Sequence, residues 1–254
     1  MRIRSQESVV EDQFGPQATS YLNSAVHSRG EDLAALADIV GARPSAAVLD
    51  LGCGAGHAAF LLAPMVKSVV AYDLSVSMVA ITGAEAARRG LENLQAQRGV
   101  AEKLPYADAT FDIVVSRYST HHWHSALEGL REARRVLKPG GLAAFMDVFS
   151  PGATLLDTWL QSLELLRDPS HVRNYTLAEW NGMLALAGFG PAATRCFRVD
   201  LQFQAWIERM NTSADHVTAI RSLQSNAPTD VLRYFAVQHD GSFTVDSMLM
   251  HTQS

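Results

Sequence analysis

The stretch VLDLGCGAGH at residues 48–57 decides the fold, because an apolar strand runs directly into a turn of alternating glycines. Gly52, Gly54 and Gly56 carry no Cβ atoms, so a ligand can lie directly against the backbone amides of this turn. Asp73 follows 21 residues after Gly52, at the end of a second apolar run. An acidic residue at that distance can accept hydrogen bonds from ribose hydroxyls. Together these features indicate a site for an adenosine-containing cofactor.

The chemistry of the turn selects among such cofactors. Its spacing is G-x-G-x-G rather than the G-x-G-x-x-G of dinucleotide sites, and Asp50 stands just before it. Asp50 would repel a pyrophosphate, whereas a carboxylate favours the ammonium and sulfonium groups of S-adenosyl-L-methionine. The chain contains no G-x-x-x-x-G-K-[ST] motif for nucleoside triphosphates. We therefore expect S-adenosyl-L-methionine as the cofactor.

Predicted strands and helices alternate through the first part of the chain, which is typical of an α/β protein with a doubly wound, mostly parallel sheet. Residues 7–41 carry apolar side chains at helical intervals and are predicted to be mainly helical. Helical material near 204–235 is longer than a loop requires and is predicted to form a lid. The predicted strands lie near 47–51, 68–72, 94–98, 112–116, 142–148, 191–203 and 242–251. The predicted organisation is an N-terminal helical cap at 1–41, a cofactor-binding core at 42–150, and the rest of the sheet with its lid at 151–254.

Four stretches carry a resemblance to a known family. They are VLDLGCGAGH at 48–57, VVAYDLSVSMV at 69–79, the segment 99–123 and the segment 131–147. In order and spacing they resemble the class I S-adenosylmethionine-dependent methyltransferases, in the small-molecule branch (type 11) that includes enzymes of ubiquinone and menaquinone biosynthesis. The resemblance implies a seven-stranded, Rossmann-like sheet and methyl transfer to a small molecule by in-line displacement.

The resemblance also implies roles for individual residues. The three glycines line the methionine portion of the cofactor, Asp50 orients its ammonium, and Asp73 holds its ribose. Leu74 and Met78 enclose the adenine, and the backbone of Ala101 receives the adenine edge. Many relatives have aspartate where this chain has Val100, so Glu102 is a candidate replacement. The predicted cofactor-binding residues are Tyr21, Asp50, Gly52, Cys53, Gly54, Gly56, Asp73, Leu74, Met78, Val100, Ala101, Glu102 and Arg117.

A cluster of histidines follows the fourth predicted strand, at the sheet edge where ligands of such folds bind. His121 or His122 can take a proton from a nucleophile, because the ordinary pKa of histidine is near neutrality. The alternative is that these histidines cap the next helix and pack under Trp123. No carboxylate stands at helical spacing among them, so no metal site is predicted. The candidates for the substrate mouth are Phe14, Tyr21, Tyr118, His122, Trp159, Trp180, Trp206 and Arg209.

Bulk properties limit the classes of partner. The net charge is −5 and no run of Lys or Arg occurs, which disfavours a nucleic-acid substrate. The two cysteines, Cys53 and Cys196, form no disulfide or zinc pattern, and no apolar run approaches a membrane span. We therefore expect a cytoplasmic protein, a monomer or homodimer, that acts on a small molecule and contacts neither membrane nor nucleic acid.

Other functions are compatible with the same pocket. One is a non-methyl-transfer reaction, such as a cyclisation assisted by the bound cofactor. Another is a binding module that senses the cofactor or acts as a scaffold. The presence of Asp50, the three glycines and Asp73 argues for retained cofactor binding, and the acceptor atom is left open because fold alone does not determine it.

Overall fold

The computed structural model describes residues 4–22 and 30–254, and within them seven strands form one sheet in the order β3-β2-β1-β4-β5-β7-β6. The strands β1 to β5 are parallel, and β7 runs antiparallel between β5 and β6. This confirms the predicted doubly wound, mostly parallel α/β sheet. The strands are β1 (Arg43–Leu51), β2 (Val66–Asp73), β3 (Leu94–Arg98), β4 (Phe111–Arg117), β5 (Leu137–Val148), β6 (Ala193–Leu201) and β7 (Phe243–Gln253).

Helices cover both faces of the sheet, so its central strands are apolar throughout rather than alternating. The helices are α1 (Gln6–Phe14), α2 (Ala18–Leu22), α3 (Glu31–Val40), α4 (His57–Leu62), α5 (Val76–Arg88), α6 (Ala126–Val136), α7 (Thr154–Arg167), α8 (Leu177–Leu186), α9 (Phe203–Arg209), α10 (Ala214–Ser225) and α11 (Thr229–Tyr234). Short 3-10 turns lie at Gly15–Gln17, Ala63–Met65 and Thr120–His122. Of the stretch predicted as the N-terminal helix, residues 23–29 lie outside the described residues.

The chain begins the sheet at its centre, which fixes where a ligand can bind. From β1 it passes outward to β2 and β3, then returns to the other side for β4 and β5. The connections after β1 and β4 therefore leave the sheet in opposite directions and open a crevice at the carboxyl ends of these strands. The glycine turn after β1 and the histidine segment after β4 both lie there.

The start of β5 differs from the sequence prediction. The strand β5 begins at Leu137 rather than near 142, because Leu137 pairs with Phe111 before the register shifts and Leu142 pairs with Ile113. The Pro-Gly-Gly segment is thus absorbed as an irregularity within the strand, with Gly140 at a φ of 71°. The helical material predicted near 204–235 is present as α9, α10 and α11.

The C-terminal helices have a core of their own. It joins α7 to α9, α10 and α11, to the end of β6 and to the start of β7. Trp159 of α7 stacks on Phe235, with 4.7 Å between ring centroids, and the edge of Trp206 contacts Phe243. These helices are therefore fixed beside the carboxyl ends of β4 and β5, where they can wall a cavity.

Candidate active site

The turn after β1 has the backbone conformation that its glycines permit. Gly52, Gly54 and Gly56 have φ values of 70°, 51° and 86°, in the left-handed region that favours glycine. A Cβ at Gly52 would lie 1.8 Å from Ser119 Oγ, and one at Gly56 would lie 2.7 Å from Thr82 Cγ2. These two glycines permit close packing of the loop on its neighbours. Gly54 differs, since a Cβ there would meet no atom of the described residues within 4 Å.

Asp73 holds this turn in place from the end of β2. Its Oδ2 accepts the Gly54 amide at 2.7 Å, and its Oδ1 accepts the Ser75 amide at 2.9 Å. Each carboxylate oxygen has a second lone pair that can accept a further hydrogen bond. Burial raises the pKa of Asp73 above its ordinary value. The residue predicted to hold a ribose thus also positions the loop that faces it.

Asp50 is buried at the end of β1, and one of its oxygens is unsatisfied. Oδ2 accepts the Ala59 amide of α4 at 2.9 Å, whereas Oδ1 has no hydrogen-bond partner in the described part of the chain. The side chain lines the crevice, and burial raises its pKa to about 7. A buried carboxylate oxygen without a partner is costly, so this position fits a ligand that brings a cation or a hydrogen-bond donor.

The crevice encloses a main cavity of about 230 Å³. The predicted cofactor-binding residues line it, apart from Gly56, where a Cβ would meet Thr82 of α5 and Phe60 of α4. Its lining includes Tyr21, Asp50, Gly52, Cys53, Gly54, Asp73, Leu74, Met78, Val100, Ala101, Glu102 and Arg117. Arg117 also donates from Nε to Asp32 Oδ2 at 2.5 Å, a buried ion pair that joins β4 to α3. Glu102 accepts the Ser125 amide at 3.2 Å and so supports the start of α6.

A second cavity of about 100 Å³ adjoins the main one. Phe14, Tyr21, Tyr118 and His122 line both, and therefore form the boundary between them. Of the predicted substrate residues, Trp206 and Arg209 line the second cavity only, as does His121. A ligand in the main cavity and a ligand in the second would thus meet beside His122.

Two tryptophans predicted at the substrate mouth lie elsewhere. Trp159 belongs to the core of the C-terminal helices, stacked on Phe235, and it lines neither cavity. Trp180 is 1% exposed and packs on Phe145 beneath the sheet. Both stand at helical intervals among leucines, which is the pattern of a core position.

Comparisons with known proteins identify the family. Residues 49–145 match the model of a methyltransferase domain. Over 227 residues the chain is 34% identical to the uncharacterized methyltransferase YcgJ of Bacillus subtilis, covering 89% of this chain and 90% of YcgJ. The chain belongs to the S-adenosylmethionine-dependent methyltransferases. The crystal structure of YcgJ matches this methyltransferase with a TM-score of 0.85 at 31% identity, over 88% of this chain and 98% of YcgJ.

Two further relatives define the range of similarity. The methyltransferase is 46% identical over 199 residues to the uncharacterized protein YafE of Escherichia coli, covering 78% of this chain and 96% of YafE. It is 38% identical over 126 residues to the 2-phytyl-1,4-naphtoquinone methyltransferase of Synechococcus elongatus. That match covers 47% of this chain and 53% of the Synechococcus enzyme, so it shows similarity over about half of each.

The two histidines of the methyltransferase have different environments. His121 Nδ1 lies 2.5 Å from Asp147 Oδ1 at the end of β5. Burial opposes its charged form, but the Asp147 carboxylate prevails and raises the pKa of His121. Burial together with the neighbouring His121 lowers the pKa of His122 to about 4. The Asp147 carboxylate therefore favours the protonated form of His121, whereas His122 is unprotonated at neutral pH.

The tautomer of His122 follows from its neighbours. Ser170 Oγ donates to Asp168 Oδ1 at 2.6 Å, so this hydroxyl can only accept from His122 Nδ1, at 3.2 Å. Nδ1 thus carries the hydrogen of the neutral ring, and Nε2 carries a lone pair 3.8 Å from Asp168 Oδ2. A proton accepted at Nε2 would be stabilised by that carboxylate.

Several lining residues were not predicted from sequence. Gln6, Glu7 and Val10 of α1 line the main cavity, and Gln6 Nε2 donates to the Ser170 carbonyl at 2.6 Å. The weak amphipathicity of α1 gives no signal for this role. Sequence patterns also gave no prediction for several residues around the histidines. Asp147 pairs with His121, and four others line the second cavity: Glu164, Arg167, Asp168 and Asn174. Asp147 ends a central strand, and this position could have identified it.

Neither a membrane span nor a metal centre is evident in the part of the methyltransferase that the structure describes. No helix there has the length and apolar character needed to cross a bilayer. The same residues bring together no group of three or more His, Cys, Asp or Glu side chains able to hold a metal ion.

The open space at Gly54 allows a direct test of ligand binding at the glycine turn after β1. Gly54→Ala and Gly90→Ala both place a Cβ at a positive φ with no neighbour of the described chain within 4 Å, and each should cost about 1 kcal/mol of stability. Of these two glycines, only Gly54 lines the main cavity. We expect Gly54→Ala alone to weaken binding of S-adenosylhomocysteine, by at least roughly tenfold in calorimetric titration. Equal affinity in the two variants would place the ligand away from this loop.

Proposed function

We propose that this methyltransferase binds S-adenosyl-L-methionine in the main cavity and transfers its methyl group to a small-molecule acceptor. The observation that carries the proposal is the buried Asp50 Oδ1, which lacks a partner among the described residues and faces a glycine turn with open space at Gly54. Asp50 binds the ammonium, and Asp73 accepts hydrogen bonds from the ribose hydroxyls. Leu74 and Met78 enclose the adenine. When bound, the cofactor supplies an electrophilic methyl group on a sulfonium.

The protein contributes mainly alignment and proton removal. Holding two reactants in near-attack geometry can contribute about 7–11 kcal/mol to lowering the barrier. The boundary residues Phe14, Tyr21 and Tyr118 surround the reacting centre where the two cavities meet. His122 Nε2 accepts the proton that the acceptor atom loses as its bond to the methyl carbon forms. Asp168, 3.8 Å away, stabilises the resulting imidazolium.

The acceptor is a small molecule with an apolar or aromatic body. The second cavity is small and its walls include Phe14, Trp206, Leu201 and Val245. A net charge of −5 is unfavourable for a nucleic-acid substrate. The similarity to a 2-phytyl-1,4-naphtoquinone methyltransferase over half of the chain is consistent with an aromatic acceptor.

The raised pKa of Asp50 predicts how cofactor binding depends on pH. The free protein has a pKa of about 7 at Asp50, so below that value the carboxyl is protonated and must ionise to bind an ammonium. Affinity for S-adenosylmethionine should therefore rise several-fold between about pH 6 and about pH 7.5, where the amino group of the ligand still carries its proton. Calorimetric titration across this range measures it.

Asp50→Asn is the matched control, because its side-chain oxygen can still accept the Ala59 amide. We expect weak binding with no such rise. The same pH dependence in Asp50→Asn would assign the titration to another group. An absence of saturable binding by the wild-type protein at any pH would contradict the proposed function itself. Binding without release of S-adenosylhomocysteine, with every acceptor tried, would favour a non-methyl-transfer role.

A further inference from the structure

Charged and polar groups concentrate around the second cavity, and most of them are paired. Arg167 and Glu164 approach to 3.4 Å, and His121 lies 2.5 Å from Asp147. Asp168 accepts the amide and the hydroxyl of Ser170, at 2.8 and 2.6 Å. The two ion pairs are balanced, and the Asp168 carboxylate is stabilised by hydrogen bonds, so none of these groups requires a ligand.

Arg209 is the exception among the cations of this cavity. It ends α9, lies partly buried, and pairs with no carboxylate of the described residues. Burial lowers the pKa of its guanidinium, although arginine stays charged at neutral pH. The carboxylate that stabilises its charge, Glu164, forms its ion pair with Arg167 instead, and a ligand carboxylate can bind the guanidinium of Arg209 through two parallel hydrogen bonds.

An independent donor lines the same cavity. Asn174 is 1% exposed, and its Nδ2 has no hydrogen-bond partner among the described residues. Its backbone amide and carbonyl are both satisfied by the Gln161 side chain, which fixes the position of the residue. A buried donor without a partner and a cation without an ion pair can both be satisfied by one negatively charged acceptor group.

We propose that the second cavity is the acceptor site and that it takes a small apolar or aromatic molecule bearing a carboxylate, which Arg209 and Asn174 bind. Trp206 and Phe14 contact its apolar body. The atom that receives the methyl group lies at the boundary beside His122, and the carboxylate lies deeper in the second cavity. The inference rests on the proposed methyl transfer, because it assigns the second substrate of that reaction.

The test uses acids and their neutral counterparts of the same shape. Wild-type protein saturated with S-adenosylhomocysteine is titrated with benzoate, phenylacetate and 4-hydroxybenzoate, and with the three matching carboxamides. We expect at least one acid to bind roughly 10- to 100-fold more tightly than its amide. Arg209→Gln should remove this preference, and Asn174→Ala should reduce it. The matched control Arg195→Gln, at an exposed position of β6, should leave it unchanged.

A second measurement needs no ligand. Since Arg209 has no carboxylate partner in the described chain, Arg209→Gln should leave the thermal midpoint of the free protein unchanged or raise it. A clear decrease would mean that Arg209 is a structural residue and would overturn the proposal. Equal affinity for acids and amides, a preference that survives in Arg209→Gln, or no saturable binding of any acid would overturn it as well. Failure of S-adenosylhomocysteine to bind would instead contradict the proposed function.

Discussion

Asp73→Ala is expected to weaken binding of S-adenosylmethionine and S-adenosylhomocysteine by more than about 100-fold, because two charge-assisted hydrogen bonds to ribose together contribute about 3 kcal/mol or more. The loss has a second source in the loop. The Gly54 amide donates to Asp73 at 2.7 Å, and in the variant this donor faces the cavity without its acceptor. Calorimetric titration gives the affinity, and thermal unfolding gives the accompanying loss of stability.

The matched control is Asp112→Ala. Asp112 lies near the amino end of β4, on the side of the sheet away from the cavities. There it accepts hydrogen bonds from the Ala47 amide and from Lys138 Nζ, each at 2.8 Å. Its removal should also lower stability, since it too is a carboxylate bound to a backbone amide, but cofactor affinity should not change. Comparable affinity losses in both variants would mean that Asp73 acts through general destabilisation rather than through a ribose contact.

His122→Ala is expected to lower turnover by roughly 100- to 10,000-fold once an acceptor is known, which is the usual contribution of a positioned general base. Affinity for S-adenosylhomocysteine should stay close to the wild-type value, because His122 stands at the boundary and not at the glycine turn. Release of S-adenosylhomocysteine from saturated enzyme measures turnover. His239→Ala, at an exposed position, serves as the control.

The pH dependence of turnover separates His122 from His121. With a pKa of about 4, His122 is unprotonated at all pH values near neutrality, so turnover at saturation should stay level from about pH 6 to about pH 8. If His121 were the base, turnover would rise with pH as its raised pKa was crossed. We expect His121→Ala to act chiefly on stability, since it leaves Asp147 buried without its partner. Full activity in His122→Ala would remove this histidine from the mechanism.

The main cavity could be anticipated from sequence because its parts are local. A strand, a glycine turn and an acid after the next strand occupy consecutive positions, and a parallel sheet necessarily brings their ends together. Asp50 and the three glycines could thus be recognised before the structure was known. The unsatisfied oxygen of Asp50 could not be predicted in this way, because it depends on which amide of α4 the carboxylate reaches.

The second cavity depends on long-range packing, which sequence patterns do not encode. Asp168 and Asn174 lie in an irregular segment between α7 and α8, and Arg209 ends a short helix. They meet only because α9 packs against α7 and the sheet. The same limit explains Trp159, whose helical spacing is equally compatible with a core and with a substrate wall. The stacking of Trp159 on Phe235 shows that Trp159 is a core residue.

The position of β7 has a consequence for synthesis on the ribosome. It lies between β5 and β6 in the sheet but follows both in the chain. The five parallel strands can pair as soon as they emerge. β5 then keeps an open hydrogen-bonding edge until β7 arrives, and β6, which is made later, also has no neighbour until then. A nascent chain therefore carries the open edge of β5 through the translation of roughly a hundred residues, from the end of β5 to β7, and β6 is unpaired for roughly the last forty of them. During that interval the helices of residues 154–234 are the elements available to shield those edges from other chains.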